Sequence, residues 1–288
     1  MILVDMNQVT ISNLMIQMKD EPLSEDLVRH MVLNSLRSYK TKFSKDFGEL
    51  VLCYDDKHCW RKDYFPYYKQ NRKKARSESS LNWNELFDIL TKIQKELEEN
   101  FPYKVLKING AEADDIIAIL SNKISSTPNL YEEILIISGD KDFIQLHQSD
   151  NVKQYSPTLK KFIVDENPEQ YKFEHIIRGD KGDGVPNVLS QDTVFVEDLR
   201  QRPITKKKLT EWKENGIPEG EIKRNYQRNK TLIDFDSIPN ELGELIYNMW
   251  VDKITQNDKS KILPYFMKHR LKEPVSYTHL TLPTSNGV

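Results

Sequence analysis

Acidic side chains follow three of the apolar runs in this sequence. Asp5, Asp55 and Asp140 each come directly or almost directly after such a run, and Asp142 lies two residues beyond Asp140. If the runs are parallel strands of one sheet, their carboxyl ends lie along a single edge, where ligand crevices form. We therefore expect these carboxylates to converge.

Two further groups of acids are spaced three residues apart. Glu112 and Asp115 share a helix face with Asp114 between them, and Asp180 and Asp183 lie in a turn bracketed by glycines. Any single acid after a strand could be a turn former or a solvated cap. Five separate segments that place acids at the same predicted edge favour one shared site.

Nine carboxylates in one crevice would repel each other severely unless cations neutralise them. Oxygen ligands suit hard divalent ions, and Mg²⁺ fits best by availability, with Mn²⁺ as a substitute. Two such ions about 3.5–4 Å apart would act on the attacking and leaving oxygens of a phosphodiester. The acids therefore predict metal-dependent phosphodiester hydrolysis.

A basic, aromatic segment follows Asp55. Residues 57–76 hold eight Lys or Arg, one Asp and five aromatic residues, for a local formal charge of +7. Basic side chains neutralise phosphates and aromatic rings stack on unpaired bases, so the segment favours single-stranded nucleic acid over a solvated helix face. A second basic stretch, residues 200–230, is equally compatible with duplex binding and with a solvated surface. The candidate nucleic-acid-binding residues are Arg61, Lys62, Tyr67, Tyr68, Lys69, Arg72, Lys73, Lys74, Arg76, Lys206, Lys207 and Lys208.

The pattern of elements predicts an α/β fold with a central, parallel-rich sheet flanked by helices. After about residue 165, short helical stretches replace the strands. The predicted strands are Met1–Val4, Leu50–Tyr54, Tyr103–Ile108 and Glu133–Ile137, and the predicted helices are Ser24–Phe43, capped by Ser24, Trp83–Leu97 and Glu112–Leu120.

Composition excludes several classes of protein. The chain has 288 residues and a net charge of −2, which excludes a globally basic nucleic-acid binder. No apolar run reaches the roughly 18 residues of a membrane span, and no signal segment opens the chain. The two cysteines form no zinc cluster with the six histidines. We expect a cytoplasmic protein, monomeric and without a membrane partner.

Several motifs occur in an order that resembles the flap endonuclease and 5′-to-3′ exonuclease family, and within it the ribonuclease H branch of T-even-type bacteriophages. They are KDYFPYYKQNRKKAR (62–76), EADD (112–115), SGDKD (138–142) and GDKGDGVP (179–186). The likeness covers roughly residues 1–272. Each motif alone is weak, but the ordered set is specific.

The resemblance implies a role for each matching residue. Tyr68, Lys69 and Arg72 would lie in a helical arch, where Lys69 and Arg72 stabilise the scissile phosphate and act with Asp5, Asp55 and Asp140 in catalysis. Residues 182–188 would open a helix–turn–helix element that grips duplex DNA. The implied ligands are Asp5, Asp55, Glu112, Asp114, Asp115 and Asp140 for a first metal, and Asp142, Asp180 and Asp183 for a second.

The resemblance also implies a PIN-like, 5′-nuclease-like fold and a division of the chain. Residues 1–183 would form the nuclease core with its arch at 57–80, residues 184–274 a smaller helical DNA-binding domain, and residues 275–288 a non-native tail. The implied activity is a Mg²⁺-dependent 5′-to-3′ exonuclease and flap endonuclease with RNase H activity, which removes RNA primers and adjacent DNA from lagging-strand fragments. Its substrates would be DNA and RNA–DNA hybrids with a 5′ end or flap. A single-stranded-DNA-binding protein and a sliding clamp would be its partners, in the cytoplasm of the infected host.

Two alternatives stay open. A PIN-type nuclease for structured RNA would share the acids but is usually shorter and lacks a long basic arch. A non-catalytic DNA-structure-binding protein would share the fold, although some of its acidic residues should have been replaced. Phosphate-loop and Gly-x-Ser-x-Gly motifs are both absent from the sequence, so nucleotide-triphosphate and serine-hydrolase chemistry are unsupported.

Overall fold

A mixed six-stranded sheet forms the centre of the protein. The computed structural model describes residues 1–17, 23–79, 81–253 and 259–271. The strand order is β3-β2-β1-β4-β5-β6, and every neighbouring pair is parallel except β5 and β6. The strands are β1 (Ile2–Asp5), β2 (Leu50–Tyr54), β3 (Lys104–Lys107), β4 (Ile134–Ile137), β5 (Val152–Ser156) and β6 (Lys161–Ile163).

The strand order reverses direction at β1. The chain moves from β1 outward through β2 to β3, then returns to the other side of β1 with β4 and continues to β5. The connections on the two sides of this switch point diverge, which leaves a crevice at the carboxyl ends of the central strands. Asp5 and the segments after β2 and β4 all border that crevice.

Alternating side chains of the central strands build two hydrophobic layers, one on each face of the sheet. Ile2 and Val4 belong to one core cluster, and Leu3 belongs to the other. Both faces are covered, so the strands read as unbroken apolar runs. This is why the sequence identified β1, β2 and β4 with almost correct limits.

Helices cover the two faces. Ser24 accepts a hydrogen bond from the backbone N–H of Leu27, which confirms it as the N-cap of the second helix. The helices are α1 (Met6–Gln17), α2 (Glu25–Phe47), α3 (Trp60–Tyr64), α4 (Gln70–Ser77), α5 (Trp83–Asn100), α6 (Ala113–Ser126), α7 (Pro168–Arg178), α8 (Lys206–Asn215), α9 (Glu221–Ile233), α10 (Asn240–Asp252) and α11 (Ile262–Lys268).

Helix α1 and strands β5 and β6 are among the elements that the sequence did not predict. Helix α1 follows β1 without a loop, and it carries little amphipathic pattern. Strands β5 and β6 are short and rich in polar residues, and β6 is an antiparallel edge strand with largely exposed side chains. Tertiary packing on the sheet, rather than local sequence pattern, determines these three elements.

The helices after residue 184 pack in two different places. Leu209 and Trp212 of α8 form a small core with Ile177 and Val188, against which residues of α9 also pack. In contrast, α10 packs on α6 and β3, and α11 joins the core cluster that contains α2 and α5. The division into a nuclease core and a domain over 184–274 stays a prediction, and residues 275–288 lie outside the described residues.

No helix in the described ranges is both long and apolar enough to cross a membrane.

Candidate metal centre

The structure brings the strand-end acids together, as the sequence predicts. Asp5 accepts hydrogen bonds from the backbone of Gln8 and from the hydroxyl of Ser138, at 3.0 Å each. The same Ser138 oxygen accepts the backbone N–H of Asp140 at 3.1 Å. Asp55 accepts the backbone N–H of Ala113 at 2.8 Å, which ties the end of β2 to the start of α6. The ends of β1, β2 and β4 thus fix these three carboxylates around one crevice.

Burial and the charges of neighbouring carboxylates both raise the pKa values of Asp5, Asp114 and Asp140. Burial, and then the charge of Asp55, raise the pKa of Asp5 to about 7. Burial and the charge of Asp142 raise the pKa of Asp140 to about 7. The pKa of Asp114 is raised well above its ordinary value by burial and by Asp5 and Asp140. None of the three has a basic partner in direct contact among the described ion pairs, so each can offer oxygen to a cation.

Glu112 and Asp115 differ from that group because the chain itself neutralises them. The guanidinium of Arg61 lies 3.0 Å from Glu112 Oε2 and 2.8 Å from Asp115 Oδ1. Glu112 also receives Lys69 Nζ at 2.6 Å and Tyr68 Oη at 3.0 Å. Burial opposes ionisation of Glu112, but Lys69 and Arg61 lower its pKa to about 2.

Asp115 caps the start of α6 rather than lining the crevice. Its side chain accepts the backbone N–H of Glu112 at 2.9 Å, completing a capping box at the start of α6, and it accepts the indole N–H of Trp60 at 3.2 Å. The carboxylate is fully buried. The expectation that Asp115 is a metal ligand does not fit this arrangement, because Arg61, Trp60 and the helix backbone engage it.

The basic segment folds back over the acids as two short helices, α3 and α4. Lys69 stands between them in the left-handed region, with φ of 57°, and its backbone N–H donates to Asp183 O at 2.7 Å. Its ammonium lies 3.4 Å from a carboxylate oxygen of Asp183, which also pairs with Arg72 and accepts Tyr68 Oη at 2.6 Å. Gly184 permits this docking, because a side chain there would press on the backbone of Tyr67 and Lys69. Lys69 and Arg72 therefore face the acids, and their action on a scissile phosphate stays a prediction.

A second group of ligand atoms lies beside the first. Asp142, His175 and Asp180 each offer an atom within 4.8 Å of the other two. Burial disfavours a charged imidazole, but the neighbouring carboxylates of Asp142 and Asp180 raise the pKa of His175. The pKa of Asp180 is raised by burial and by Asp183 and Asp142. Asp142 and Asp180 were predicted ligands, whereas His175 was not predicted.

The donor atoms present fit divalent ions. The crevice offers carboxylate oxygens without basic partners, which Mg²⁺ and Mn²⁺ prefer. His175 Nε2 is buried and makes no well-aligned hydrogen bond, although carboxylate oxygens stand nearby. A buried polar atom of this kind requires a partner, and a bound cation supplies one. The candidate ligands of the crevice are Asp5, Asp55, Asp114 and Asp140, and those of the second group are Asp142, His175 and Asp180.

The predicted nucleic-acid-binding residues separate into an inner and an outer set. Arg61 is 3% exposed and also donates to Leu232 O at 2.8 Å, and Tyr68 is 4% exposed. Neither is free to contact a phosphate or a base in this structure, because both are bound to acids of the site. Arg76 is half-buried against the rings of Trp83 and Phe87. The remaining residues reach the surface, fully or in part: Lys62, Tyr67, Lys69, Arg72, Lys73, Lys74, Lys206, Lys207 and Lys208.

The expected helix–turn–helix element is irregular. Residues 180–185 form a tight turn closed by an antiparallel bridge between Asp180 and Val185. Further turns lie at 188–189 and 192–198, and an irregular segment leads from there to α8. Asn187 and Asn225 anchor this stretch through their side-chain amides. Its role in holding duplex DNA stays a prediction.

An acidic crevice at the switch point of a parallel sheet, roofed by basic side chains, defines a metal-dependent nuclease. Comparison with known families gives the same result. Residues 16–175 match the N-terminal resolvase-like domain of 5′-3′ exonucleases, and residues 166–277 match the C-terminal domain of T4 RNase H. The chain belongs to the 5′-3′ exonuclease family.

Individual relatives agree with this assignment. The chain is 37% identical to the ribonuclease H of Enterobacteria phage T4 over 287 residues, which covers 94% of this chain and 92% of the relative. It is 29% identical to a 5′-3′ exonuclease of Buchnera aphidicola over 168 residues, which covers 54% of each chain.

Solved structures share the fold. The 5′-exonuclease of bacteriophage T5, with divalent zinc ions bound, superposes with a TM-score of 0.61 at 19% identity over 87% of this chain and 98% of that one. The T5 flap endonuclease in a pseudo-enzyme–product complex with DNA and metal ions gives 0.59 at 17% identity over 86% and 98%.

The buried ion pairs of Arg61 lead to a prediction about stability. Replacing Arg61 with Ala leaves Asp115 buried without its counter-ion and weakens the neutralisation of Glu112. We expect a loss of about 3–5 kcal/mol in the free energy of unfolding, measured by urea denaturation without DNA. Lys62→Ala, next in sequence but exposed, should change it by less than about 0.5 kcal/mol. Equal stability of the two variants would contradict the claim that buried Arg61 is the counter-ion of Asp115 and Glu112.

The raised pKa of Asp140 makes a second prediction. A folded-state pKa of about 7 lies above the ordinary aspartate value, so ionisation of Asp140 destabilises the metal-free fold progressively as the pH rises through that interval. Asp140→Asn should therefore stabilise the protein in EDTA by about 1–3 kcal/mol near pH 8 and leave its stability unchanged near pH 4. Asp46→Asn, at an exposed position of α2, serves as the control. A destabilised Asp140→Asn variant near pH 8 would contradict the claim that the ionised Asp140 carboxylate destabilises the metal-free fold.

Proposed function

We propose that this protein is a divalent-metal-dependent 5′-to-3′ exonuclease and flap endonuclease with RNase H activity. It would remove RNA primers and adjacent DNA from lagging-strand fragments. The observation that carries the proposal is the pairing of an acidic crevice with Lys69 and Arg72, which the arch holds against the acids. The match to a ribonuclease H over nearly the whole chain supports the same activity.

The metal ligands follow from which acids lack a basic partner. Asp5, Asp55, Asp114 and Asp140 would hold one ion, and Asp142 and Asp180 contribute to a second. Bound divalent ions would supply Lewis acidity at the scissile phosphate and lower the pKa of a coordinated water. Mg²⁺ is the proposed physiological ion on grounds of availability, with Mn²⁺ as a substitute. Metal-bound T5 structures of the same fold support the requirement for divalent ions.

Lys69 and Arg72 are the side chains that would stabilise charge at the phosphate. In the absence of substrate, they neutralise Glu112 and Asp183. A phosphodiester that enters the crevice would bring negative charge to the same place, and both cations would then stabilise the charge that develops in the transition state. The strained left-handed backbone at Lys69 fixes the position from which its side chain reaches the phosphate.

The basic surface of the arch would guide a single strand. Lys62, Lys73 and Lys74 are exposed and Tyr67 is partly exposed, so phosphates and bases can reach them. Recognition would rest on the 5′ end and the backbone rather than on base sequence. The substrates would be DNA and RNA–DNA hybrids with a 5′ end or flap. Lys206, Lys207 and Lys208 at the start of α8 would bind the adjoining duplex.

The biological setting follows the family. The enzyme would act as a monomer in the cytoplasm of an infected bacterial host, with a single-stranded-DNA-binding protein and a sliding clamp as partners. Residues 1–183 would carry the chemistry and residues 184–274 would hold duplex DNA.

A cleavage assay tests the activity. A 5′-flapped duplex and an RNA–DNA hybrid, each labelled at either end, are incubated with wild-type protein and Asp140→Asn, in Mg²⁺ or EDTA. We expect short 5′ products that require Mg²⁺ and fall at least about a thousandfold in the variant, with DNA binding nearly unchanged. Binding without cleavage in wild type under every condition would overturn the proposal in favour of a DNA-structure-binding protein.

Removing Lys69 should slow the chemical step. Lys69→Met keeps the aliphatic stem, and Glu112 retains Arg61 and Tyr68. We expect the single-turnover rate to fall about a hundredfold or more, with a stability change near 1 kcal/mol. Lys73→Met, exposed on the same arch, should alter substrate affinity more than rate. An unchanged rate in Lys69→Met would exclude Lys69 from catalysis.

A further inference from the structure

We propose that His175 is a nitrogen ligand of the second metal ion, together with Asp142 and Asp180, and that it biases this position toward transition metals over Mg²⁺. The inference rests on the proposed function, since it concerns the same metal centre. The resemblance implied only carboxylates at this position, and nothing in the sequence pattern singled out a histidine.

The distances suit a shared ion. His175 Nε2 lies 3.0 Å from Asp142 Oδ1 and 3.7 Å from Asp180 Oδ2. Neighbouring ligand atoms on an ion with bonds of about 2.1 Å are separated by about 3 Å in octahedral geometry and somewhat more in tetrahedral geometry. The two distances from His175 Nε2 are close to these values, and all three atoms lie within 4.8 Å of one another.

The fold holds these ligands before any ion binds. His175 lies in the last turn of α7, where its ring stacks on Tyr171 at a centroid distance of 5.7 Å and an interplanar angle of 12°. Gly179 ends the helix with φ of 66°, and a side chain there would lie 2.3 Å from Val185 O. This turn directs the chain so that Asp180 follows α7 directly. One oxygen of Asp180 accepts the backbone N–H of Asp183, and the other is the one nearest His175.

Asp183, the third carboxylate expected at this position, is engaged elsewhere. It pairs with Arg72 and Lys69 and accepts the hydroxyl of Tyr68. The atoms that converge on one point are therefore two oxygens and one nitrogen. His175 occupies the place in the ligand set that Asp183 would otherwise fill.

A nitrogen ligand changes which metal binds best. Imidazole favours Mn²⁺, Co²⁺ and Zn²⁺ over Mg²⁺, which prefers oxygen and retains its water. His175→Gln should therefore weaken binding of Mn²⁺ and Co²⁺ at this position at least about tenfold while changing Mg²⁺ affinity by less than about threefold. Asp142→Asn should weaken binding of all three ions.

Pulsed electron paramagnetic resonance of Mn²⁺ gives a direct test. In the full chain loaded with Mn²⁺, we expect a ¹⁴N coupling from a directly bound imidazole, which becomes ¹⁵N when the protein is labelled with ¹⁵N-histidine. The coupling should vanish in His175→Gln and persist in His147→Gln, whose side chain contacts Gln154 rather than the acids. Absence of the coupling in wild type, or its persistence in His175→Gln, would overturn the inference. Should His175→Gln fail to fold, the wild-type spectrum alone decides.

The spectrum and the cleavage assay separate two kinds of failure. Mg²⁺-dependent cleavage without a nitrogen coupling would reject His175 as a ligand and leave the nuclease function intact. A nitrogen coupling without cleavage in any metal would support the ligand and reject the proposed nuclease activity.

Discussion

Repulsion among carboxylates confined to one sheet edge is the constraint that organises this protein. Parallel strands place their carboxyl ends together, and the reversal of strand order at β1 opens a crevice there. Asp5, Asp114 and Asp140 meet in this crevice, where burial and the charges of neighbouring carboxylates raise their pKa values. Such an arrangement costs folding stability, and it persists only where other parts of the chain offset that cost and where function requires it.

The chain answers this repulsion in two ways. Glu112, Asp115 and Asp183 form ion pairs with basic side chains of the same chain. Glu112 and Asp115 hold Arg61 inside the protein, and Glu112 and Asp183 hold Lys69 and Arg72 of the arch against the site. Among the described ion pairs, the remaining acids have no Lys or Arg partner, and only the imidazole of His175 lies beside Asp142 and Asp180. The acids that are paired with basic side chains position the arch over the site, and the acids without such partners are available to bind divalent ions. Metal binding and the position of the arch are thereby linked through neighbouring carboxylates.

Much of this centre could be predicted from the sequence because buried parallel strands leave an unmistakable apolar pattern. Each of β1, β2 and β4 ends in an acid or is followed by one within three residues, and topology alone brings those acids together. The direction of a side chain that packs between elements has no such signature. Arg61 sits in a run of basic residues yet turns inward, because Glu112 and Asp115 lie behind it on α6. His175 looked like one of six scattered histidines, since only the packing of α7 places it beside Asp142.

The most direct test of this account is anomalous diffraction from crystals of the protein grown with Mn²⁺. The account predicts two peaks, one within about 2.3 Å of oxygens from Asp5, Asp114 or Asp140, and one at a similar distance from Asp142, Asp180 and His175. It also predicts that Arg61 keeps its contacts with Glu112 and Asp115. Crystals with no peak in the crevice, and with the acids dispersed or paired to basic side chains, would contradict it.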